Sequence, residues 1–134
     1  MIFRRKQLPE ELRPAHDAFA AQVDRLEQAR SALMSCLPVG RVDPAPVPVG
    51  LDLLADELDA IAAEMDAWQV PELAEEWRDC VDAIAEAKSK MPTAHEVAET
   101  STELEELLGA VEDVDEPLGH AFGRAERRWR DLRR

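Results

Sequence analysis

Acidic residues with helical spacing are the first candidates for chemistry in this sequence. Glu72, Glu75, Glu76 and Asp79 lie three or four residues apart, and a second acidic row covers residues 96–106. Side chains with this spacing lie on the same side of a helix. Hard cations such as Mg²⁺ prefer carboxylate oxygens, so two facing rows of this kind could hold a metal ion.

Two short patterns in the first row resemble those of a known enzyme family. Glu72-x-x-Glu75 and Glu76-x-x-Asp79 are similar to the Glu-x-x-Glu and Glu-x-x-Asp pairs of the all-α nucleotide pyrophosphohydrolases related to MazG. The resemblance implies Mg²⁺-dependent nucleotide hydrolysis, with these four carboxylates as metal ligands. It covers only these residues, and the pairs are contiguous here, whereas the family carries them on separate helices. We keep this function as an alternative and prefer a solvated helix face, since most helix surfaces are charged.

Other catalytic or cofactor chemistry has little basis in the sequence. The histidines lie at positions 16, 95 and 120, and none has a glutamate three residues before it. The di-iron bundle pattern, Glu-x-x-His, is therefore absent. There are five glycines, and they do not form a phosphate-binding loop. We predict that the chain is not an enzyme and that it has no catalytic residue, no cofactor and no metal ligand.

The C-terminal segment combines arginines with an apolar stripe. The stripe runs through Phe122, Ala125, Trp129 and Leu132. Such a basic amphipathic helix suits an acidic protein partner or an anionic membrane surface. The same pattern also arises when the stripe is core and the cations complement the helix dipole or neighbouring acidic helices. As candidate partner-binding residues we take the six arginines, whose forked side chains suit carboxylates: Arg124, Arg127, Arg128, Arg130, Arg133 and Arg134.

The spacing of apolar residues predicts an all-α fold. Apolar stripes in steps of three and four residues indicate amphipathic helices, and prolines mark their ends. We expect a short turn at 8–12 and a last helix that begins at Thr93 or Thr100, where the spacing fits a capping box. Pro117 either kinks that helix or ends it. The other three predicted helices cover 14–37, 51–69 and 71–91.

These elements predict one antiparallel bundle over 1–134. It has four or five helices, or three long helices if Pro71 and Pro117 are both kinks. Residues 38–50 contain four prolines, of which Pro38 ends the first helix. Proline favours extended backbone, so this stretch is predicted to be a stiff crossover connection after the first helix.

Charge and composition restrict the class of protein. The chain has 134 residues, a hydrophobic fraction of 46% and a net charge of −13. Residues 42–123 hold 22 acidic against 3 basic side chains, which makes nucleic-acid binding unfavourable. Cys36 and Cys80 are expected to be buried free thiols. The sequence shows neither a signal peptide nor a membrane span, so we expect a cytoplasmic protein, and its composition fits a GC-rich bacterial genome.

The sequence favours a non-enzymatic protein–protein interaction module. Such a protein would be an adaptor or a small subunit of an assembly, with an acidic helical body and an arginine-rich last helix. Long apolar stripes with few aromatic residues also suit self-association. The two alternatives are the Mg²⁺-dependent pyrophosphohydrolase and a peripheral membrane protein that docks through its last helix.

Overall fold

A computed structural model describes residues 6–38 and 46–134 of the chain. Over these ranges the protein is an all-α bundle of four helices without a strand, which confirms the predicted fold class. Consecutive helices run antiparallel and pack side by side, and the first and last helices close the ring over a short stretch. The helices are α1 (Arg13–Ser35), α2 (Val47–Glu64), α3 (Ala74–Thr100) and α4 (Leu104–Asp131).

Three short 3₁₀ segments join or precede these helices. They cover Glu10–Leu12, Met65–Trp68 and Pro71–Leu73. The first lies within the turn expected at 8–12. The last confirms that a new helical segment opens at Pro71, because proline fits the first turn, where an amide hydrogen is not needed.

The connection between α1 and α2 is shorter than predicted. The sequence suggested extended backbone to residue 50, but α2 already begins at Val47. Pro48 lies in its first turn, where the missing amide hydrogen breaks no hydrogen bond. Most of the predicted crossover, residues 39–45, lies outside the described residues.

Proline does not end either of the two long helices. The prediction that Pro92 stops the third helix is wrong, because α3 continues to Thr100, and Pro117 likewise lies inside α4. Pro92 itself is exposed, while its neighbours Met91 and Ala94 are buried. Burial of the apolar side chains of α3 against α4 continues past Pro92, and it outweighs the local cost of a proline inside the helix.

The turn between α3 and α4 lies at the second of the two predicted capping sites. Ser101 follows the end of α3, and its Oγ accepts a hydrogen bond of 3.2 Å from the backbone amide of Glu103. The start at Thr93 is wrong, since that residue lies within α3. The helix pair α3–α4 is thus a long hairpin with a three-residue connection.

We expect the substitution Pro92→Ala to raise the free energy of unfolding by about 1–2 kcal/mol. Alanine restores a backbone amide donor and removes the ring clash inside a helix, and the exposed position leaves the core unchanged. Urea denaturation followed by far-UV circular dichroism measures the change. An unchanged or lower stability would mean that α3 does not run through this residue.

The predicted apolar stripes form one core. Leucines of α1 and α2 that are fully buried include Leu26, Leu33, Leu54 and Leu58. The terminal end of the bundle, where α1 begins and α4 ends, holds the aromatic side chains instead. Phe19 contacts Trp68 edge to face with ring centroids 4.9 Å apart, and Phe122 and Trp129 pack beside them.

The chain segments at the terminal end are bonded to each other. The backbone amide and carbonyl of Gln7 exchange two hydrogen bonds of 2.8 Å with those of Arg134. Arg13 donates a further bond of 3.3 Å to the side chain of Gln7. The segment before α1 is therefore fixed to the segment that follows α4.

One ion pair connects α1 to α4 near the middle of the bundle. The Arg30 guanidinium donates a hydrogen bond to each carboxylate oxygen of Asp115, from Nε to Oδ1 at 2.7 Å and from Nη2 to Oδ2 at 3.0 Å. Each of the two side chains is only one-fifth exposed. The hydrogen bond to Asp115, which exceeds the opposing effect of burial, raises the pKa of Arg30 above its ordinary value. This ion pair explains why a polar residue, Asp115, stands among the apolar residues of the stripe of α4.

Candidate functional site

Two candidate sites named from the sequence lie opposite each other in the structure. The acidic row begins in the 3₁₀ turn that precedes α3 and continues in the first turns of α3. These turns run beside the last turns of α4, because the two helices are antiparallel neighbours. We call this surface the charged seam. It surrounds a depression of about 310 Å³ lined by Glu75, Glu76, Asp79, Arg124, Arg127, Arg128 and Asp131.

Two ion pairs connect the acidic and basic sides of the seam. Arg124 forms an ion pair with Asp79. Arg128 Nε lies 3.7 Å from Glu76 Oε1 and donates a 3.2 Å hydrogen bond to the carbonyl oxygen of Glu72. Both arginine side chains are nearly half exposed, so these contacts stabilise the fold only slightly.

The seam does not resemble a metal centre. Two of the four carboxylates in the alternative set, Glu76 and Asp79, already have guanidinium neighbours. Positive side chains this close weaken the attraction of a carboxylate row for a cation. Within the described ranges, no group of three or more His, Cys, Asp or Glu side chains could hold an ion together.

Cys80 lies beneath the seam and is completely buried. Burial raises the pKa of its thiol to about 12. The Asp79 carboxylate acts in the same direction, Arg124 opposes it, and Glu76 adds the smallest contribution. A thiol with so high a pKa is a poor nucleophile, because the thiolate is the reactive form. The structure therefore makes Cys80 part of the core.

Because of Cys80, the free energy of unfolding should fall as the pH becomes alkaline. Its folded pKa of about 12 exceeds the unfolded value of 9.0, so its contribution is complete below about pH 9 and is lost as the pH rises toward 12. We expect a loss of about 1 kcal/mol between pH 8 and pH 10. Urea unfolding at several pH values measures it. In Cys80→Ala this part of the slope should vanish; an identical slope in both proteins would contradict the assignment.

Four of the six candidate arginines have no ion-pair partner among the described residues. They are Arg127, Arg130, Arg133 and Arg134. Arg127, Arg130, Arg133 and Arg134 are all exposed. The structure thus divides the predicted set: two arginines contact the acidic row, and four are exposed without an ion-pair partner among the described residues.

The apolar stripe of the last helix is part of the core. Phe122 and Trp129 are 2% exposed and Ala125 is fully buried. A membrane could not contact these side chains without opening the bundle. No helix in the described ranges has the length and apolar composition that crossing a membrane requires.

A cleft between α1 and α4 is the feature that sequence reasoning missed. It lies at the terminal end, beside Arg130 and Arg133, and has a volume of about 380 Å³. Its charged or polar lining comes from His16, Asp24, Glu126, Arg130 and Arg133, and its apolar lining from Phe19, Ala20, Val23 and Trp129. It forms here because α1 and α4 approach each other closely over only a short stretch.

The indole group of Trp129 is buried without a hydrogen-bond acceptor. The other two indoles have one: Trp68 Nε1 donates to Gln22 Oε1 at 2.9 Å, and Trp77 Nε1 donates to the carbonyl oxygen of Met65 at 2.9 Å. For Trp129 Nε1 the described residues provide none. Buried polar groups are almost always paired, so this donor marks the cleft as unusual.

The histidines do not form a shared site. His16 packs edge to face on Trp129, with ring centroids 5.3 Å apart. His95 Nε2 lies 3.1 Å from Asp52 Oδ1 on the surface between α2 and α3. His120 is exposed on α4. Only His16 therefore belongs to the cleft.

Comparison with known proteins does not assign the chain to a class. Protein-family models, curated protein sequences and solved structures all gave no match.

Proposed function

We propose that this chain is a non-enzymatic protein–protein interaction module, an adaptor or a small subunit of an assembly. The observation that carries the proposal is the group of four arginines without ion-pair partners in the described part of α4 and the residues that follow it. Arg130, Arg133 and Arg134 lie together at the terminal end, near Arg13. Arginine is favoured in interfaces because its planar guanidinium can donate two parallel hydrogen bonds to one carboxylate.

Charge segregation supports the same function. Several basic side chains elsewhere in the described bundle have acidic partners: Arg25 pairs with Glu57 and Glu64, and Lys88 with Asp59. The terminal end concentrates unpaired positive charge on a protein whose net charge is −13. An acidic surface on a partner would be attracted to this end and repelled by the rest of the molecule, which fixes its orientation.

We also propose that the protein works in the cytoplasm. Cys36 and Cys80 are both free and buried. Free thiols persist where glutathione and thioredoxin keep the environment reducing.

The test compares two charge-reversal variants in a quantitative affinity capture, followed by binding measurements with the purified partner. Arg130→Glu/Arg133→Glu/Arg134→Glu reverses the terminal end, and Arg78→Glu, an exposed position on α3, is the matched control. We expect the triple variant to weaken binding at least tenfold and the control to leave it unchanged. Circular dichroism verifies that both variants are folded.

Two results would overturn the proposal. One is a partner that binds the triple variant as tightly as the unmodified protein, since the arginines then have no part in recognition. The other is the absence of any partner whose binding is specific and saturable.

A further inference from the structure

The α1–α4 cleft offers hydrogen-bond donors that the fold itself does not use. Trp129 is 2% exposed, and its Nε1 lacks an acceptor among the described residues. Arg130 and Arg133 line the same cleft and lack ion-pair partners there. A buried donor without an acceptor destabilises the folded protein, and a ligand that supplies an acceptor would recover this loss.

Charge varies along the cleft. Arg130 and Arg133 lie toward the terminal end, close to the bonded segments of Gln7 and Arg134. Asp24 lies eight residues further along α1 than His16, which is about 12 Å of helix. Glu126 lies one turn before Arg130 on α4. The cleft is therefore basic at its terminal end and acidic toward the middle of the bundle.

The lining between these charges is apolar. Phe19 and Val23 from α1 and Trp129 from α4 form it, together with Ala20. A volume of about 380 Å³ is at the small end of the range for ligand pockets. It accommodates one or two large side chains of a peptide better than a whole helix.

We propose that this cleft binds an acidic peptide segment of a protein partner, with an apolar side chain on Phe19 and Val23 and a carboxylate held by Arg130 and Arg133. Trp129 Nε1 donates a hydrogen bond to an oxygen of the same segment. The acidic side chains Asp24 and Glu126 repel the carboxylate from the opposite end, which sets the direction of the peptide. This inference rests on the proposed function and specifies the chemistry of the partner.

His16 is the side chain of the cleft lining that we expect to move when the peptide binds. Its side chain is 27% exposed and packs edge to face on the Trp129 ring. Trp129 Nε1 is buried in the free protein, so we expect the peptide to reach it only after a neighbouring side chain such as that of His16 turns aside. Because side-chain rotations of this kind are common on binding, the backbone of the bundle need not change.

The experiment records the three indole N–H signals of the ¹⁵N-labelled full chain by NMR during a peptide titration. Trp129→Phe identifies the signal of Trp129 by its disappearance. The probe is an acetylated and amidated peptide, Ala-Leu-Phe-Asp-Glu-Ala, and its control has Asn and Gln in place of Asp and Glu. We expect the acidic peptide to shift the Trp129 signal saturably and the signals of Trp68 and Trp77 to stay in place.

Variants test the roles of the individual donors. Arg130→Gln/Arg133→Gln should weaken binding of the acidic peptide at least tenfold, while Arg78→Gln, at an exposed position of α3 outside the cleft, should not. Trp129→Phe keeps an aromatic ring but removes the donor, and we expect about three- to tenfold weaker binding from loss of one hydrogen bond, measured by the backbone signals of α1.

Several results would overturn the inference. Equal binding of the amide control would exclude carboxylate recognition, and an unchanged Trp129 signal at about 5 mM peptide would exclude binding in the cleft. A Trp129 signal that depends on protein concentration alone would assign the cleft to a second copy of the chain. If the titration fails while the terminal arginines still control partner capture, this inference fails and the proposed function stands.

Discussion

Replacing Asp115 with alanine is expected to lower the free energy of unfolding by about 2–3 kcal/mol. The Arg30 guanidinium is only one-fifth exposed, and the substitution removes the carboxylate to which it donates two hydrogen bonds. Breaking a fully buried pair costs about 3–5 kcal/mol, and partial exposure reduces that value here. The loss should persist in high salt, because partly buried charges are weakly screened.

Glu27 supplies a matched control on the same arginine. It contacts Arg30 Nη1 at 2.7 Å, but its side chain is 55% exposed. Glu27→Ala should therefore cost less than about 0.5 kcal/mol. Equal costs for Glu27→Ala and Asp115→Ala would contradict the special role of the buried pair.

A double-mutant cycle separates the pair interaction from other effects. Removing both Arg30 and Asp115 should cost less than the sum of the two single alanine substitutions by about 1–3 kcal/mol, because the double variant leaves no charge unpaired. Equilibrium urea unfolding of the four proteins provides the measurement. Additive costs would show that the two side chains do not interact in solution.

Replacing Gly50 with alanine is expected to destabilise the protein by about 1–3 kcal/mol. A methyl group there would lie 2.9 Å from Cys36 Sγ and 3.1 Å from Leu33 Cα. The second contact is with backbone, so α1 and α2 would have to separate. Gly50 is therefore the residue that permits the close approach of these two helices.

Replacing Gly109 with alanine is expected to stabilise the protein, in contrast to the same change at Gly50. A methyl group at this position of α4 meets nothing within 4 Å, and alanine favours helix over glycine. Gly109→Ala should raise the free energy of unfolding by about 0.5–1 kcal/mol. Stabilisation by both substitutions would mean that the close contact at Gly50 does not exist.

Periodicity of apolar residues was sufficient to predict the fold class and most of the core. Each predicted stripe faces the centre, because the spacing of three and four residues places those side chains on one side of a helix. Helix ends at Pro92 and near residue 50 were predicted wrongly. The error at Pro92 comes from a local rule for proline that takes no account of the burial of Met91. The error near residue 50 comes from treating Pro48 as a helix breaker, although proline fits a first helical turn.

The candidate site was predictable in part. Sequence spacing identified the carboxylates and the arginines as separate groups, but only the helix hairpin shows that Asp79 meets Arg124. Trp129 was correctly assigned to the apolar stripe. Whether an indole finds an acceptor depends on its neighbours in space, as the contrast between Trp68 and Trp129 shows, so the cleft could not be inferred from sequence.

The contacts that join α1 to α4 have a consequence for folding kinetics. Arg30 and Asp115 are 85 residues apart in the chain, whereas neighbouring helices form hairpins from nearby segments. Local hairpins close quickly, and distant contacts carry a larger entropic cost, so the ring of helices should close late. Interactions formed after the transition state mainly control the unfolding rate. The Arg30–Asp115 pair and the bonded segments of Gln7 and Arg134 would therefore determine how long the folded bundle persists rather than how fast it forms.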